Sequence, residues 1–246
     1  MIFYFSGISD RKTFELLNGT VSDFLTDEID IANIPAEREV GILDSGAYRL
    51  YKKGLQINLD NYLANTFALA NRSRRIVAPD VIGNADQTLR NYQIVKKEAH
   101  LKDKIFPVWG WNTPREYLQF YLYESELVGI GGLAKIFRLG KTPEEKKLRD
   151  RVLRELQELC EEYPKRFHIF GLNYLKAIEV LSPLVASGDS SVWLRGARYG
   201  FVIFVHEKNK HLTQAPARAI PQFAGFDREM RCRTSAKNIH QFVTQF

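Results

Sequence analysis

Residues 75–110 read RIVAPDVIGNADQTLRNYQIVKKEAHLKDKIFPVWG. Arg75–Ala78 is a short apolar run stopped by Pro79-Asp80, which reads as a buried strand. Ala85–Leu101 places Leu89, Tyr92 and Val95 on one stripe at helical spacing, and Ile105–Trp109 is a second apolar run. Strand, helix and strand in this order form a crossover unit, and such units build parallel sheets whose faces are covered by the helices. The same rhythm extends outward in both directions. Strands are expected at Ile2–Phe5, Val40–Leu43, Leu127–Ile130, Phe167–Phe170 and Ser187–Asp189, and Ser22–Ile34 is the place for an eighth. Helices are expected over Leu59–Asn71, from Thr113-Pro114 with Thr as cap, from Thr142 to Tyr163, over Tyr174–Leu184 and over Ser235–Phe246. A closed (β/α)8 barrel and an open doubly wound sheet both fit. No G-x-G-x-x-G follows an early strand, so the dinucleotide-binding version of the open sheet lacks its main mark.

The chain has 246 residues, within the usual range of a single (β/α) barrel. Hydrophobic residues make up 45% and charged residues 26%, which excludes disordered and low-complexity classes. No apolar run is long enough to span a bilayer, and Met1–Gly7 lacks the basic start of a signal peptide. Two cysteines, Cys160 and Cys232, form neither a disulfide framework nor a zinc-finger spacing, so a reducing, cytoplasmic location is expected. The net charge of +6 is unevenly placed. Residues 195–246 hold nine Lys/Arg and three acids, whereas the first 194 residues are neutral. The expected organisation is a barrel over residues 1–200 and a basic extension over 201–246 packed on it. A basic end on a neutral body suits a polyanion, and equally suits a solvated tail.

Polar residues fall where the strands stop. Asp44 follows Val40–Leu43, Asp80 follows Arg75–Ala78, Gly131-Gly132 follow Leu127–Ile130, and Asp189 closes the series. One aspartate at a strand end is ordinarily a turn or cap residue. Three of them in one barrel would meet on the face where barrel active sites are built.

These residues carry a resemblance. Asp44-Ser45-Gly46-Ala47-Tyr48 resembles the D-S-G-[GA]-F motif of the tRNA-guanine transglycosylases and their DNA-acting relatives. Gly129-Ile130-Gly131-Gly132-Leu133-Ala134 resembles that family's I-G-G-L-A segment, and His168-Ile169-Phe170-Gly171 its H-x-x-G segment. Gly188-Asp189-Ser190-Ser191, followed by Trp193 and Arg198, resembles the segment with the nucleophilic aspartate. The motifs occur in family order over about residues 1–200, and the family fold is a (β/α)8 barrel.

The resemblance implies exchange of guanine in a nucleic acid for a free 7-deazaguanine base, without a cofactor. It implies Asp189 as covalent nucleophile and Asp44 as general acid/base, roles that carboxylates fill when a glycosidic bond breaks through an oxocarbenium-like state. Asp80 would read the guanine N–H edge, and Gly131, Gly132 and Leu133 would offer backbone groups to it. Ser45 lies in the same motif, and Tyr48 and Phe170 would sandwich the flipped base. His168 receives no role. Arg195, Arg198, Arg228, Arg231 and Arg233 would hold the polymer backbone.

Two departures shape the expectation. The family's V-Q-G strand reads Val108-Trp109-Gly110 here, so Trp109 would stand where an amide grips the base, with one donor and no acceptor. The zinc site of the tRNA enzymes needs three cysteines and a histidine, and here Cys232 stands alone near His240, so no metal is expected. A compact chain of this kind is most similar to the phage and bacterial enzymes that place 7-deazaguanines in DNA. DNA is therefore the expected polymer, in the host cytoplasm if the enzyme is phage-encoded. Trp193 is the expected wall against a 2′-hydroxyl. The alternatives are a small tRNA-acting enzyme, a non-catalytic nucleic-acid-binding paralogue, and a glycoside hydrolase. A membrane partner is not expected, and the oligomeric state is open.

Overall fold

The structure is a computed structural model that describes residues 1–246. The chain is α/β. It begins with β1 (Ile2–Phe5), α1 (Arg11–Leu17), β2 (Leu25–Asp27), β3 (Val40–Asp44), α2 (Ala47–Lys52), α3 (Leu59–Leu69), β4 (Ser73–Val77) and α4 (Ala85–Val95). It continues through β5 (Ile105–Phe106), β6 (Val108–Gly110), α5 (Arg115–Glu124), β7 (Val128–Gly131), α6 (Leu133–Ile136), α7 (Pro143–Glu162), β8 (Phe167–Ile169) and α8 (Leu175–Leu181). Then come β9 (Ser187–Ser190), α9 (Val192–Arg198), the hairpin strands β10 (Phe201–Val205) and β11 (Leu212–Pro216), and α10 (Arg228–Val243).

Nine strands form two parallel sheets, of order β1-β9-β8-β7-β6 and β2-β3-β4-β5. The sheets touch at both ends. Phe5 at the end of β1 bridges Phe24 in parallel, and its N–H donates to the Asp23 carbonyl at 2.9 Å. At the other end a single residue, Pro107, separates β5 from β6. Proline has no N–H, which interrupts the ladder inside the run expected as one strand, Ile105–Trp109. The eighth strand is β2, inside Ser22–Ile34.

Two sets of buried side chains follow the two-residue period of the strands. A compact cluster joins Tyr4, Leu25, Ile42, Val77, Phe106 and Val108, one side chain from each of β1 to β6, with Phe170 packed against it. The larger core of 50 residues, among them Phe3, Phe5, Ile76, Trp109, Val128, Ile130, Phe167 and Ile169, lies under the helices.

Several helices start where short polar side chains cap them. Asn58 caps α3 through Asn61 N–H at 2.9 Å, and Asn84 caps α4 through Gln87 N–H at 3.0 Å. Thr142 caps α7, with Pro143 in the first turn, and α7 buries Val152, Leu153, Leu156, Leu159 and Cys160. Two helix starts differ from expectation. Thr113 does not cap α5; its hydroxyl donates to the Gly110 carbonyl at 2.7 Å, and Pro114 takes the cap position. The last helix begins at Arg228 rather than Ser235, because Asp227 accepts from Met230 N–H at 2.8 Å. Ser235 lies inside α10 and accepts from Ile203 N–H at 2.9 Å, tying the helix to β10. Cys232, Ala236, Ile239, Phe242 and Val243 of α10 belong to the main core, so this basic end is packed rather than solvated. No helix is long and apolar enough to cross a membrane.

Candidate active site

Asp44, Asp80 and Asp189 line one cavity of about 620 Å³ at the C-terminal ends of the parallel strands. Parallel strands all stop on the same side, so residues far apart in sequence meet there. Asp44 ends β3, Asp80 lies three residues beyond β4, and Asp189 lies within β9. Tyr48, Gly131, Gly132 and Phe170 line the same cavity.

The turn after β3 builds one wall. Gly46 sits at φ +72°, a left-handed conformation that a side chain resists, and α2 starts directly after it. Asp44 Oδ1 accepts from Ser45 N–H at 2.9 Å, and Ser45 Oγ donates to Asp80 Oδ1 at 3.2 Å. Ser45 is thus a link between two carboxylates, buried behind the cavity rather than lining it. Gly132 repeats the left-handed cap at φ +85° before α6. Leu133, the first residue of α6, sends its side chain into the main core and contributes no side chain to the cavity.

Burial pushes the Asp44 carboxyl up to about 7, and the nearby carboxylates of Asp80, Asp189 and Asp27 push in the same direction. Burial also raises Asp80, to about 6, against the hydrogen bond from Ser45 that favours its charged form. A fourth carboxylate, Asp27 at the end of β2, is neutralised locally by Arg49 at 2.8 Å. Asp189 is buried, and its Oδ1 accepts from Gly171 N–H at 2.9 Å. His168 Nε2 lies 3.6 Å from the same oxygen, while its Nδ1 is 2.9 Å from Ser187 Oγ. His168 is fully buried and packs edge-on against Phe170, with ring centroids 4.4 Å apart. Phe170 also stacks on Phe106 at 10° between planes, so the ring that reaches the cavity is anchored in the inner cluster.

Three expected positions are corrected. Trp109 does not reach the cavity: Val108 faces the inner cluster, so its neighbour turns the opposite way, into the main core, where the indole N–H donates to the Pro114 carbonyl at 3.3 Å. The cavity tryptophan is Trp111, just beyond β6. Trp193 is fully buried against Phe5, with its N–H on the Ser6 carbonyl at 3.2 Å, so it cannot wall the sugar. Arg231 is a strut, with hydrogen bonds to the carbonyls of Ala197 and Phe226 at 3.2 and 2.5 Å. Arg198, Arg228 and Arg233 are exposed but do not line the cavity. Arg195 lines a second cavity of about 490 Å³ that shares Arg138 and Asn173 with the first.

Sequence reading missed Trp111, Tyr51, Lys135, Arg138 and Asn173 as cavity residues. Lys135 directly follows the quoted glycine segment, Arg138 lies three residues further on, and Tyr51 is one helical turn past Tyr48, which is the signal that was there to find. No group of three or more His, Cys, Asp or Glu is arranged to hold a metal ion, and both cysteines are buried, the Cys160 thiol pushed up to about 12 by desolvation. The chain matches no protein-family model and no curated protein.

Proposed function

We propose that the two parallel sheets are one closed (β/α)8 barrel and that the protein exchanges guanine in a nucleic acid for a free 7-deazaguanine base. Closure is supported by the Phe5–Phe24 bridge, by the single-residue gap at Pro107, and by the inner cluster that takes a side chain from six successive strands of both sheets. β5 and β6 then count as one strand, giving eight around the ring.

The observation that carries the reaction is the meeting of Asp44, Asp80 and Asp189 in one cavity, with one carboxyl raised to about 7. Desolvation, with the carboxylates of Asp80, Asp189 and Asp27 nearby, opposes the charge on Asp44. That cost is useful only if one is to hold a proton and another is to meet developing positive charge. In the proposed reaction the Asp189 carboxylate attacks C1′ of the target nucleotide. The C1′–N9 bond breaks, its electron pair goes to guanine N9, and Asp44 donates its proton there. The incoming base then returns a proton from N9 to Asp44. Its N9 attacks C1′ and releases the Asp189 carboxylate, so atoms and charge balance. Asp80, fixed by Ser45, accepts from the N–H edge of the base, and Tyr48 and Phe170 supply stacking faces.

DNA is proposed as the polymer from the resemblance to the compact DNA-acting enzymes, and tRNA is the alternative for the same chemistry. Trp193 gives DNA no support, because it is buried away from the cavity. The test is uptake of radiolabelled guanine into duplex DNA, single-stranded DNA and tRNA, compared in parallel. Uptake that requires Asp189 supports the reading, and uptake into tRNA alone moves the polymer to tRNA. No uptake into any polymer, at pH 6 to 8, overturns base exchange.

A further inference from the structure

Charge is sorted by depth in the main cavity. The only charged side chains lining it are the three carboxylates at the strand ends and two cations on the α6 side, Lys135 and Arg138. Tyr51 of α2 is 48% exposed, and Lys135 reaches over from α6 to place its ammonium 5.9 Å from the centre of the tyrosine ring. Lys52 lies 5.1 Å from the centre of the Tyr48 ring in the same helix. The rim therefore joins exposed aromatic faces to unneutralised positive charge.

Arg138 continues this rim into the adjoining notch, where it meets Arg195. Arg195 is lowered by burial and by the charge of Arg138. Both guanidiniums lack a carboxylate partner, although the third arginine of the notch, Arg149, is held by Asp150, by the Leu139 carbonyl and by the face of Tyr174. Two free guanidiniums facing one cavity suit a phosphate group.

Aromatic faces beside lysines and paired arginines match the chemistry of single-strand binding. Stacking accepts any base, and cations follow the backbone. A paired base offers no free face to a tyrosine. Resting on the nucleic-acid reading above, we infer that the cavity mouth takes an unpaired polynucleotide strand. The base next to the target stacks on Tyr51 beside Lys135, and a backbone phosphate lies between Arg138 and Arg195.

The test needs no guanine and no turnover, so it stands apart from base exchange. Fluorescent oligothymidylate and oligouridylate dodecamers, and the duplex of oligothymidylate with oligodeoxyadenylate, are titrated with the full-length protein by anisotropy. One of the single strands should bind at least about tenfold more tightly than the duplex. Tyr51→Ala should weaken that binding about tenfold, Tyr51→Leu nearly as much, and Tyr51→Phe little, since the ring face is what binds. Arg138→Gln should lower the slope of log affinity against log salt by about one phosphate contact. Tight binding of uridylate alone supports the strand track and assigns it to RNA. Equal binding of duplex and single strand overturns the inference, as does Tyr51→Ala with unchanged affinity. Loss of labelled-guanine uptake with intact single-strand binding would instead remove base exchange and leave this site standing.

Discussion

Replacing Asp44 by Asn tests the carboxylate cluster without assuming any activity. The substitution keeps the shape and keeps an oxygen for the Ser45 N–H, which Asp44 Oδ1 now accepts at 2.9 Å. It removes the charge that burial and the carboxylates of Asp80, Asp189 and Asp27 oppose. The carboxyl moves from its ordinary 3.8 to about 7, so the folded protein holds this proton more tightly than the unfolded chain does. Stability from this group is thus fully present below about pH 4 and is lost as pH rises through about 7. Each pH unit of displacement is worth about 1.4 kcal/mol, so the penalty at pH 8 is on the order of 4 kcal/mol. Asp44→Asn should be nearly neutral near pH 4 and stabilising by up to that amount at pH 8. For a chain of this size that corresponds to roughly 10 °C in Tm. Thermal unfolding followed by circular dichroism from pH 4 to pH 8 measures it. A variant whose Tm advantage does not grow with pH would refute the claim that burial, with like charge nearby, raises the Asp44 carboxyl. The same variant should lose base exchange, because its amide cannot give or take the proton.

Other outcomes follow from the same geometry. Asp189→Asn should fold, retaining the oxygen that accepts from Gly171 N–H, but should form no covalent protein–nucleic acid adduct in a denaturing-gel trap. Asp80→Asn should weaken guanine about tenfold in a competition assay, having one acceptor in place of two, and a slowed turnover with unchanged guanine affinity would exchange the roles of Asp80 and Asp44. Trp193→Ala should cost about 3–5 kcal/mol in urea unfolding, as expected for a fully buried indole, and a near-neutral result would return Trp193 to the cavity wall.

Much of the site was legible because its residues are strand-end residues. Once alternating strands and helices are read, Asp44, Asp80 and Asp189 must lie on one side of parallel strands, and the sheets bring them to one cavity. The residues misplaced, Trp109 in β6, Trp193 in α9 and Arg231 in α10, are those whose direction local pattern does not set. Trp109 and Trp111 share one parity, but the strand ends at Gly110, so Trp109 keeps the outward phase of β6 while Trp111, beyond the strand, turns to the cavity. Arg231 and Arg228 are equally basic in sequence, and only the carbonyls of Ala197 and Phe226 next to one of them make it a strut.

The α/β class, the parallel strands and the order in which polar residues end them were all readable along the chain, because these depend on local periodicity and on short turn signals. Only the packed chain set the raised carboxyl of Asp44, the burial of Trp193 and the placing of Arg138 with Arg195 at the rim. Those depend on distances between residues that local pattern does not relate, and on how much water each is denied. Asp44 sits 36 residues before Asp80 and 145 before Asp189, and its carboxyl is raised because the fold desolvates it and sets those carboxylates nearby.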